Sequence, residues 1–172
     1  MFKRILVAVD GSAPAARALT AALDLAVEQG SELVLLHVLD DLPAAVSVDA
    51  LTYATGPILE ALQQAGRDVL GSAVRKAEKR DVRLRPLLVE TVGKSVSDVI
   101  LDQARKTRAD LIVLGTHGRR GLARIVMGSD AEGVVRNATV PVLLIRASEG
   151  AAGKRGASPR RARSSSRRGE IR

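Results

Sequence analysis

Residues 111–129 read LIVLGTHGRRGLARIVMGS, and this stretch decides the predicted fold. It opens with an apolar run at 111–114, which is typical of a strand buried on both faces of a parallel sheet. A segment containing several glycines comes next, and Gly128 then precedes a helical pattern at 129–137. A strand, a glycine-containing loop and a helix in this order form one βα unit, so we predict an α/β protein.

The same alternation of short apolar runs and helical patterns covers the rest of residues 1–146. The other predicted strands are 5–9, 33–38, 82–89 and 140–145, and the other predicted helices are 14–29, 57–80 and 95–107. Repeated βα units favour a parallel sheet with right-handed crossovers. We therefore predict a single doubly wound domain whose five-stranded parallel sheet has the order 3-2-1-4-5, with helices on both faces.

The helix boundaries carry capping signals in two places. Ser12 and Ser95 are candidate N-caps, because a serine oxygen accepts a hydrogen bond from a first-turn amide. The longest helical pattern is 57–80, and we predict a long loop before it at 40–56. Two glycines are candidate breaks within this helix: Gly66 and Gly71.

The positive charge of the chain is concentrated at its end. The net charge is +8, and residues 147–172 carry eight basic residues against Glu149 and Glu170, which leaves only +2 for residues 1–146. This tail contains too little apolar surface to offset the entropy of ordering, so we predict that it is disordered. The alternative is a basic arm that binds a polyanion. The domain itself is not predicted to bind nucleic acid.

The sequence gives no sign of export or of membrane insertion. The first apolar run, 5–9, is too short for the core of a signal peptide. No stretch approaches the roughly 20 apolar residues that a membrane span requires. The chain also lacks cysteine. We expect a cytoplasmic protein with no membrane partner.

The topology predicts where a ligand would bind. In an open parallel sheet the ligand lies beyond the carboxyl ends of the strands, where the strand order reverses. The segments there are 10–12, 38–41 and 115–129. Glycines in the last segment allow a phosphate to approach the backbone closely, and the helix that starts at Ser129 offers unpaired N–H groups. The alternative is an ordinary strand-to-helix loop.

The spacing Gly115-x2-Gly118-x9-Gly128-Ser129 resembles the ATP-binding signature of the universal stress protein family. The resemblance extends from residue 3 to residue 146 and is more specific than the glycine spacing alone. Four stretches carry it: ILVAVDGS at 5–12, LLHV at 35–38, ADLIVLGTHG at 109–118 and VPVLLI at 140–145. It implies ATP, accompanied by Mg²⁺, as the ligand.

The resemblance also implies roles for individual residues. Asp10 matches an aspartate near the ribose, and Ala8 and Val38 match contacts to adenine. The phosphate cradle corresponds to Gly115, Gly118, Gly128 and Ser129, with Asp130 and Ala131 in the first turn of the helix. The other candidate contacts are Gly11, Ser12, Leu114, His117 and Arg119.

Several of these residues also have a purely structural interpretation. Asp10 followed by Gly11 forms turns readily, and an acidic residue such as Asp130 is favourable in the first turn of any helix. His37 lies within an apolar strand, so we predict a hydrogen-bonded core histidine. His37 and His117 are too far apart in sequence to indicate a metal cluster.

No catalytic arrangement is recognisable, so we predict no catalytic residue and no metal bound by the protein alone. A nucleotide-dependent binding module in the stress response is the leading hypothesis. One alternative is a slow ATPase or autophosphorylating enzyme with Ser129 as the acceptor. Another is a scaffold that works without nucleotide.

The last strand, at 140–145, is predicted to lie at an edge of the sheet. An apolar edge strand tends to pair with another strand unless it is covered. Universal stress proteins commonly dimerise through this strand, so the resemblance implies a homodimer. The alternative is that the loop at 40–56 covers the edge.

Overall fold

The computed structural model describes residues 1–40, 48–91, 93–116 and 127–146, and the side chains of residues 48–59 are not described. The predicted tail at 147–172 lies outside the described residues. Most of the segment between Gly115 and Ser129 lies outside them as well.

The helices and strands alternate as predicted. They are β1 (Arg4–Ala8), α1 (Ala13–Gln29), β2 (Glu32–Leu39), α2 (Val48–Glu78), β3 (Arg83–Glu90), α3 (Val96–Thr107), β4 (Leu111–Gly115), α4 (Ser129–Asn137) and β5 (Val142–Ile145). All neighbouring strands are parallel, and their order is β3-β2-β1-β4-β5. The predicted fold class and strand order are confirmed.

Each face of the sheet is covered by two helices. Successive side chains of a strand point to opposite faces, so the continuous apolar runs supply two cores at once. Ile5 and Val7 of β1 pack beneath α1 and α2, whereas Leu6 packs beneath α3 and α4. All three side chains are fully buried. The order reversal between β1 and β4 therefore lies at the centre of a sheet that is covered on both sides.

The start of α2 was predicted wrongly. We predicted a loop at 40–56, but the helix already begins at Val48 and continues through Pro57. Proline lacks an N–H donor and glycine is a poor helix former, so Gly56 and Pro57 locally disfavour a helix. The described side chains of α2 that pack on the sheet lie in its second half, from Val69 to Ala77, so the residues before Pro57 extend the helix past the carboxyl end of β2.

Neither glycine breaks α2, so the predicted interruption is wrong too. A Cβ atom at Gly66 would overlap Leu39 Cδ2 and would lie 3.1 Å from His37 Cδ2. Glycine at this position lets the helix approach the end of β2. At Gly71 the nearest atom to such a Cβ would be the end of the Arg75 side chain, at 3.3 Å.

Both predicted serine caps are confirmed. Ser12 Oγ accepts a hydrogen bond from the Ala15 N–H at 3.3 Å, and Ser95 Oγ accepts one from the Asp98 N–H at 3.1 Å. These bonds satisfy amides that have no partner within the helix. The first cap also fixes where α1 leaves the carboxyl end of β1.

The last strand is at the edge of the sheet, as predicted, but it is shorter than the predicted 140–145. It spans Val142–Ile145, because Pro141 has no N–H to continue the ladder. The Pro141 carbonyl still accepts a hydrogen bond from the Ile112 N–H at 3.0 Å. None of the helices in the described ranges is both long enough and apolar enough to cross a membrane.

Candidate functional site

The turn after β1 is formed by Asp10, Gly11 and Ser12. The Ser12 N–H donates to Asp10 Oδ1 at 2.9 Å, and Gly11 has a φ of 81°. A positive φ is readily adopted by glycine but strained for other residues. The Asp10 carboxylate thus has a demonstrated structural role in the turn, and it is half-buried at the carboxyl end of the sheet.

The end of β2 is fixed to the end of β1 by a buried histidine. His37 is 4% exposed, and its Nδ1 donates to the Val9 carbonyl at 2.6 Å. The prediction of a hydrogen-bonded core histidine is confirmed. The bond holds the strand end that carries Val38 beside the strand end that carries Ala8. Val38 and Ala8 are half-buried and pack at the margin of the core beneath α3 and α4.

Gly115, the last residue of β4, contacts the start of α1. A Cβ atom there would lie 2.8 Å from the Pro14 carbonyl carbon and 2.9 Å from the Ala15 nitrogen. Real side chains do not approach backbone atoms so closely. Gly115 is therefore required for packing α1 against β4, whatever ligand the site holds. The preceding residue, Leu114, is 5% exposed, so a ligand at this edge would reach its backbone rather than its side chain.

The two ends of the glycine-containing segment are joined at its base. The Gly128 N–H donates to the Thr116 carbonyl at 2.9 Å, and the Thr116 N–H donates to the Ile145 carbonyl at 3.0 Å. The start of α4 therefore lies beside the carboxyl end of β4. His117, Gly118 and Arg119, which the sequence assigned to the site, lie outside the described residues.

The first turn of α4 has no side-chain cap. Gly128 is the N-cap residue, with φ −63° and ψ 149°, and it offers no side-chain acceptor to the next amides along the helix. Ser129 and Asp130 are exposed, whereas Ala131 is 6% exposed. A ligand at this turn would meet the amide of Ala131 and not its methyl group. The positive end of the helix dipole makes the start of α4 a favourable position for an anion.

The structure thus brings together most of the site residues that it describes. The candidate site lies at the carboxyl-terminal end of the sheet, where the strand order reverses. The ends of β1, β2 and β4 and the start of α4 meet there. In the part of the chain that the structure describes, no three His, Asp or Glu side chains are grouped so as to hold a metal ion. The arrangement places a helix start, which favours an anion, at the same end of the sheet as the half-buried side chains of Ala8 and Val38, and its described residues show no paired acid and base.

Sequence reasoning missed two residues that shape this carboxyl-terminal end of the sheet. Thr116 stands between two predicted contacts and is 9% exposed, but it acts through backbone groups that residue type does not reveal. Pro14 suits the first turn of a helix by its type alone, yet its backbone and ring limit the space at Gly115. The small size of Gly115 was the available sign that another element packs there.

A separate groove runs along α3 and is not part of the candidate site. Its volume is about 430 Å³. The Lys106 ammonium lies 2.8 Å from the Asp102 carboxylate in the groove wall, and the hydrogen bond lowers the pKa of Asp102. The lining residues are Lys94, Asp98, Leu101, Asp102, Arg105 and Asn137. None of them belongs to the predicted site.

Comparison with known proteins agrees with this geometry. The model of the universal stress protein family matches residues 1–146. Universal stress protein YxiE from Bacillus subtilis is 34% identical over 153 residues, covering 85% of this chain and 100% of that protein. The chain therefore belongs to the universal stress protein family.

Solved structures of the family share the fold. A family member from Burkholderia pseudomallei is 36% identical with a TM-score of 0.68, and the match covers 84% of this chain and 96% of that one. A universal stress protein from Archaeoglobus fulgidus in complex with dAMP is 28% identical with a TM-score of 0.59. That match covers 83% of this chain and 97% of the other. At least one relative of this chain thus binds an adenine nucleotide.

Proposed function

We propose that this protein binds an adenine nucleotide, ATP being the leading candidate, and acts as a nucleotide-dependent regulatory module in a stress response. Membership of the family and the dAMP complex of the Archaeoglobus fulgidus relative support an adenine nucleotide. The described residues of the site show no paired acid and base, which favours binding over catalysis.

The observation that carries this proposal is the position of the α4 N-terminus. Its first turn has no side-chain cap, and the Gly128–Thr116 hydrogen bond fixes it beside the end of β4. Amides at a helix start bind phosphate well. The base and ribose would then extend towards β1 and β2, near Ala8, Asp10 and Val38.

The charges near the site favour a nucleotide that is bound together with a cation. The first turn of α4 carries Asp130 and Glu132, which would repel bare phosphates. Mg²⁺ prefers oxygen ligands and usually binds phosphates with one or two carboxylates and water. In our proposal the phosphate oxygens supply most ligands and the Asp130 carboxylate is the candidate protein ligand.

A titration of the purified chain tests the proposal. We expect calorimetry to detect ATP binding in the presence of Mg²⁺, with ADP, AMP and dAMP titrated alongside to define the ligand. Mass spectrometry of any nucleotide that co-purifies gives an independent identification. If no adenine nucleotide binds at millimolar concentration, the proposed function is wrong.

Two matched glycine substitutions locate the phosphate site. Gly128→Ala adds a methyl group where a phosphate would approach, yet its φ and ψ are allowed for alanine. We expect ATP affinity to fall about tenfold, or about 1.4 kcal/mol, with little change in stability. Gly30→Ala is the control, because Gly30 lies at the opposite end of the sheet with φ 65°. It should lower stability by about 1 kcal/mol and leave ATP affinity unchanged.

We also propose that the protein is a homodimer that pairs through β5. The Ile112–Pro141 and Thr116–Ile145 hydrogen bonds show which backbone groups of this edge face β4. Backbone direction alternates along a strand, so the N–H and C=O groups of Val142 and Leu144 face outward. The strand carries no charge that would oppose pairing with a second copy. Sedimentation velocity over a range of protein concentrations tests this, and a monomer throughout would contradict it.

A further inference from the structure

Thr116 connects the proposed dimer edge to the proposed phosphate site. Its N–H donates to the carbonyl of Ile145, the last residue of β5, and its C=O accepts from the N–H of Gly128, the N-cap of α4. The two distances, 3.0 and 2.9 Å, are those of ordinary hydrogen bonds, and Thr116 is 9% exposed. Water therefore has little access to replace either bond.

The residue that precedes Thr116 cannot move independently. Gly115 is pressed against the backbone of Pro14 and Ala15, with no room for even one added carbon. Gly115 is also paired with Ile145 in the sheet. A displacement of Gly128 must therefore be transmitted through Thr116 to the end of β5, because the end of β4 is held against α1.

The edge strand is the element most open to such an influence. It has four residues, all of them half-buried, and only β4 pairs with it within the described chain. A short edge strand of this kind opens locally at low free-energy cost. A ligand that fixes one end of the connection reduces the ordering that strand pairing must supply.

We propose that nucleotide binding and dimerisation are coupled through Thr116, so that nucleotide at the start of α4 tightens β5 pairing. This inference rests on the proposed function, since it requires a nucleotide at that site. Coupling between two binding equilibria is reciprocal. The dimer therefore binds nucleotide more tightly than the monomer, and because it has two sites, the dimer constant changes by the square of the affinity factor at each site.

Sedimentation of the full chain with and without saturating Mg²⁺ and ATP tests the coupling. We expect the dimer dissociation constant to fall at least about fivefold with ATP. Calorimetry on Val142→Pro, designed to be monomeric, should show ATP affinity per site reduced by the square root of that factor, whereas Val142→Ala, which keeps the outward N–H, should resemble the wild type. If ATP binds but the dimer constant is unchanged, the coupling is wrong and the proposed function stands. If no ATP binds in calorimetry, both are wrong.

A second pair of variants tests the route through Thr116. Gly128 has a φ of −63°, which suits proline, so Gly128→Pro removes the N–H bonded to Thr116 with little backbone strain. Gly128→Ala also adds carbon but keeps that N–H. We expect the ATP effect on the dimer constant to disappear in the proline variant and to persist in the alanine variant. Equal coupling in both would overturn the Thr116 route.

Hydrogen exchange gives a readout that does not depend on these substitutions at Gly128. In the Val142→Pro monomer, added ATP should slow exchange of the Leu143 and Ile145 amides, which face β4. Unchanged exchange at saturating ATP would also overturn the route.

Discussion

The two edges of the sheet differ sharply in how they meet solvent. At one edge, β3 carries exposed Arg83 and Arg85 and an exposed proline, Pro86. At the other edge, β5 reads VLLI and has no charged residue and no proline. Charges and proline on an edge strand prevent pairing with other chains. The molecule thus protects one edge against association and leaves the other able to pair.

The backbone register makes this difference specific. The Thr91 N–H donates to the Leu39 carbonyl at 3.0 Å, so alternate residues back along β3 face β2. Pro86 is out of phase with Thr91, which places its missing N–H on the outer side. On β5 the corresponding outer positions, Val142 and Leu144, keep their donors. The two edges therefore differ in whether single backbone positions offer an outward donor.

The largest expected effect comes from introducing a proline into β5, as β3 has in Pro86. Val142→Pro removes one outward donor from each protomer, so a twofold interface loses two hydrogen bonds. An acceptor left without its donor costs about 1–3 kcal/mol, so we expect dimerisation to weaken about 100-fold or more. Sedimentation equilibrium measures this, with Val142→Ala as the control for the lost side chain. A Val142→Pro chain that dimerises like the wild type would show that β5 is not the interface.

The next prediction compares two glycines at which a helix and a strand pack closely, Gly115 and Gly66. At Gly115 an added methyl group would meet the backbone of α1, whereas at Gly66 it would first meet the flexible end of Leu39. Overpacking against backbone is harder to relieve than against a side chain. We expect Gly115→Ala to lower stability by about 2 kcal/mol and Gly66→Ala by about 1 kcal/mol. Urea unfolding measures both, and the reverse ranking would contradict the packing argument.

How much of this structure could be predicted depends on whether a residue acts through its type or its surroundings. Ser12 and Ser95 begin helices by local chemistry, and both were readable in the sequence. The continuous apolar runs likewise indicated the parallel sheet. Thr116 and Gly66 act through neighbours distant in sequence, so nothing in their local pattern identified their roles.

The prediction for the start of α2 failed for a different reason. Gly56 and Pro57 locally disfavour a helix, yet α2 continues through both and begins at Val48, well before the described side chains that pack on the sheet. At the candidate site, the resemblance supplied the residues, while the structure supplied the Gly128–Thr116 bond that fixes α4 beside β4. Family motifs thus pointed to the site, whereas local propensity misplaced an element boundary.

A smaller effect is expected when the protection of β3 is removed. Arg85→Thr with Pro86→Val restores an outward N–H and replaces an exposed charge with a β-branched residue. Strand propensity predicts a monomer stabilised by about 1 kcal/mol or less. We expect the proposed dimer to associate further at high protein concentration, and light scattering would detect this. A variant that remains strictly dimeric would mean that features other than Arg85 and Pro86 protect this edge.

The smallest effect separates helix propensity from packing on the β3 side of the molecule. Gly71 lies in α2 like Gly66, but a methyl group there would meet only the mobile end of Arg75. Glycine is a poor helix former because its unfolded chain is so flexible, so Gly71→Ala should stabilise the protein by about 0.5 kcal/mol. Urea unfolding of Gly71→Ala beside Gly66→Ala isolates the packing cost, since both changes gain the same helix propensity. If both substitutions stabilise the protein, α2 has room to move away from β2, and the packing cost assigned to Gly66 is disproved.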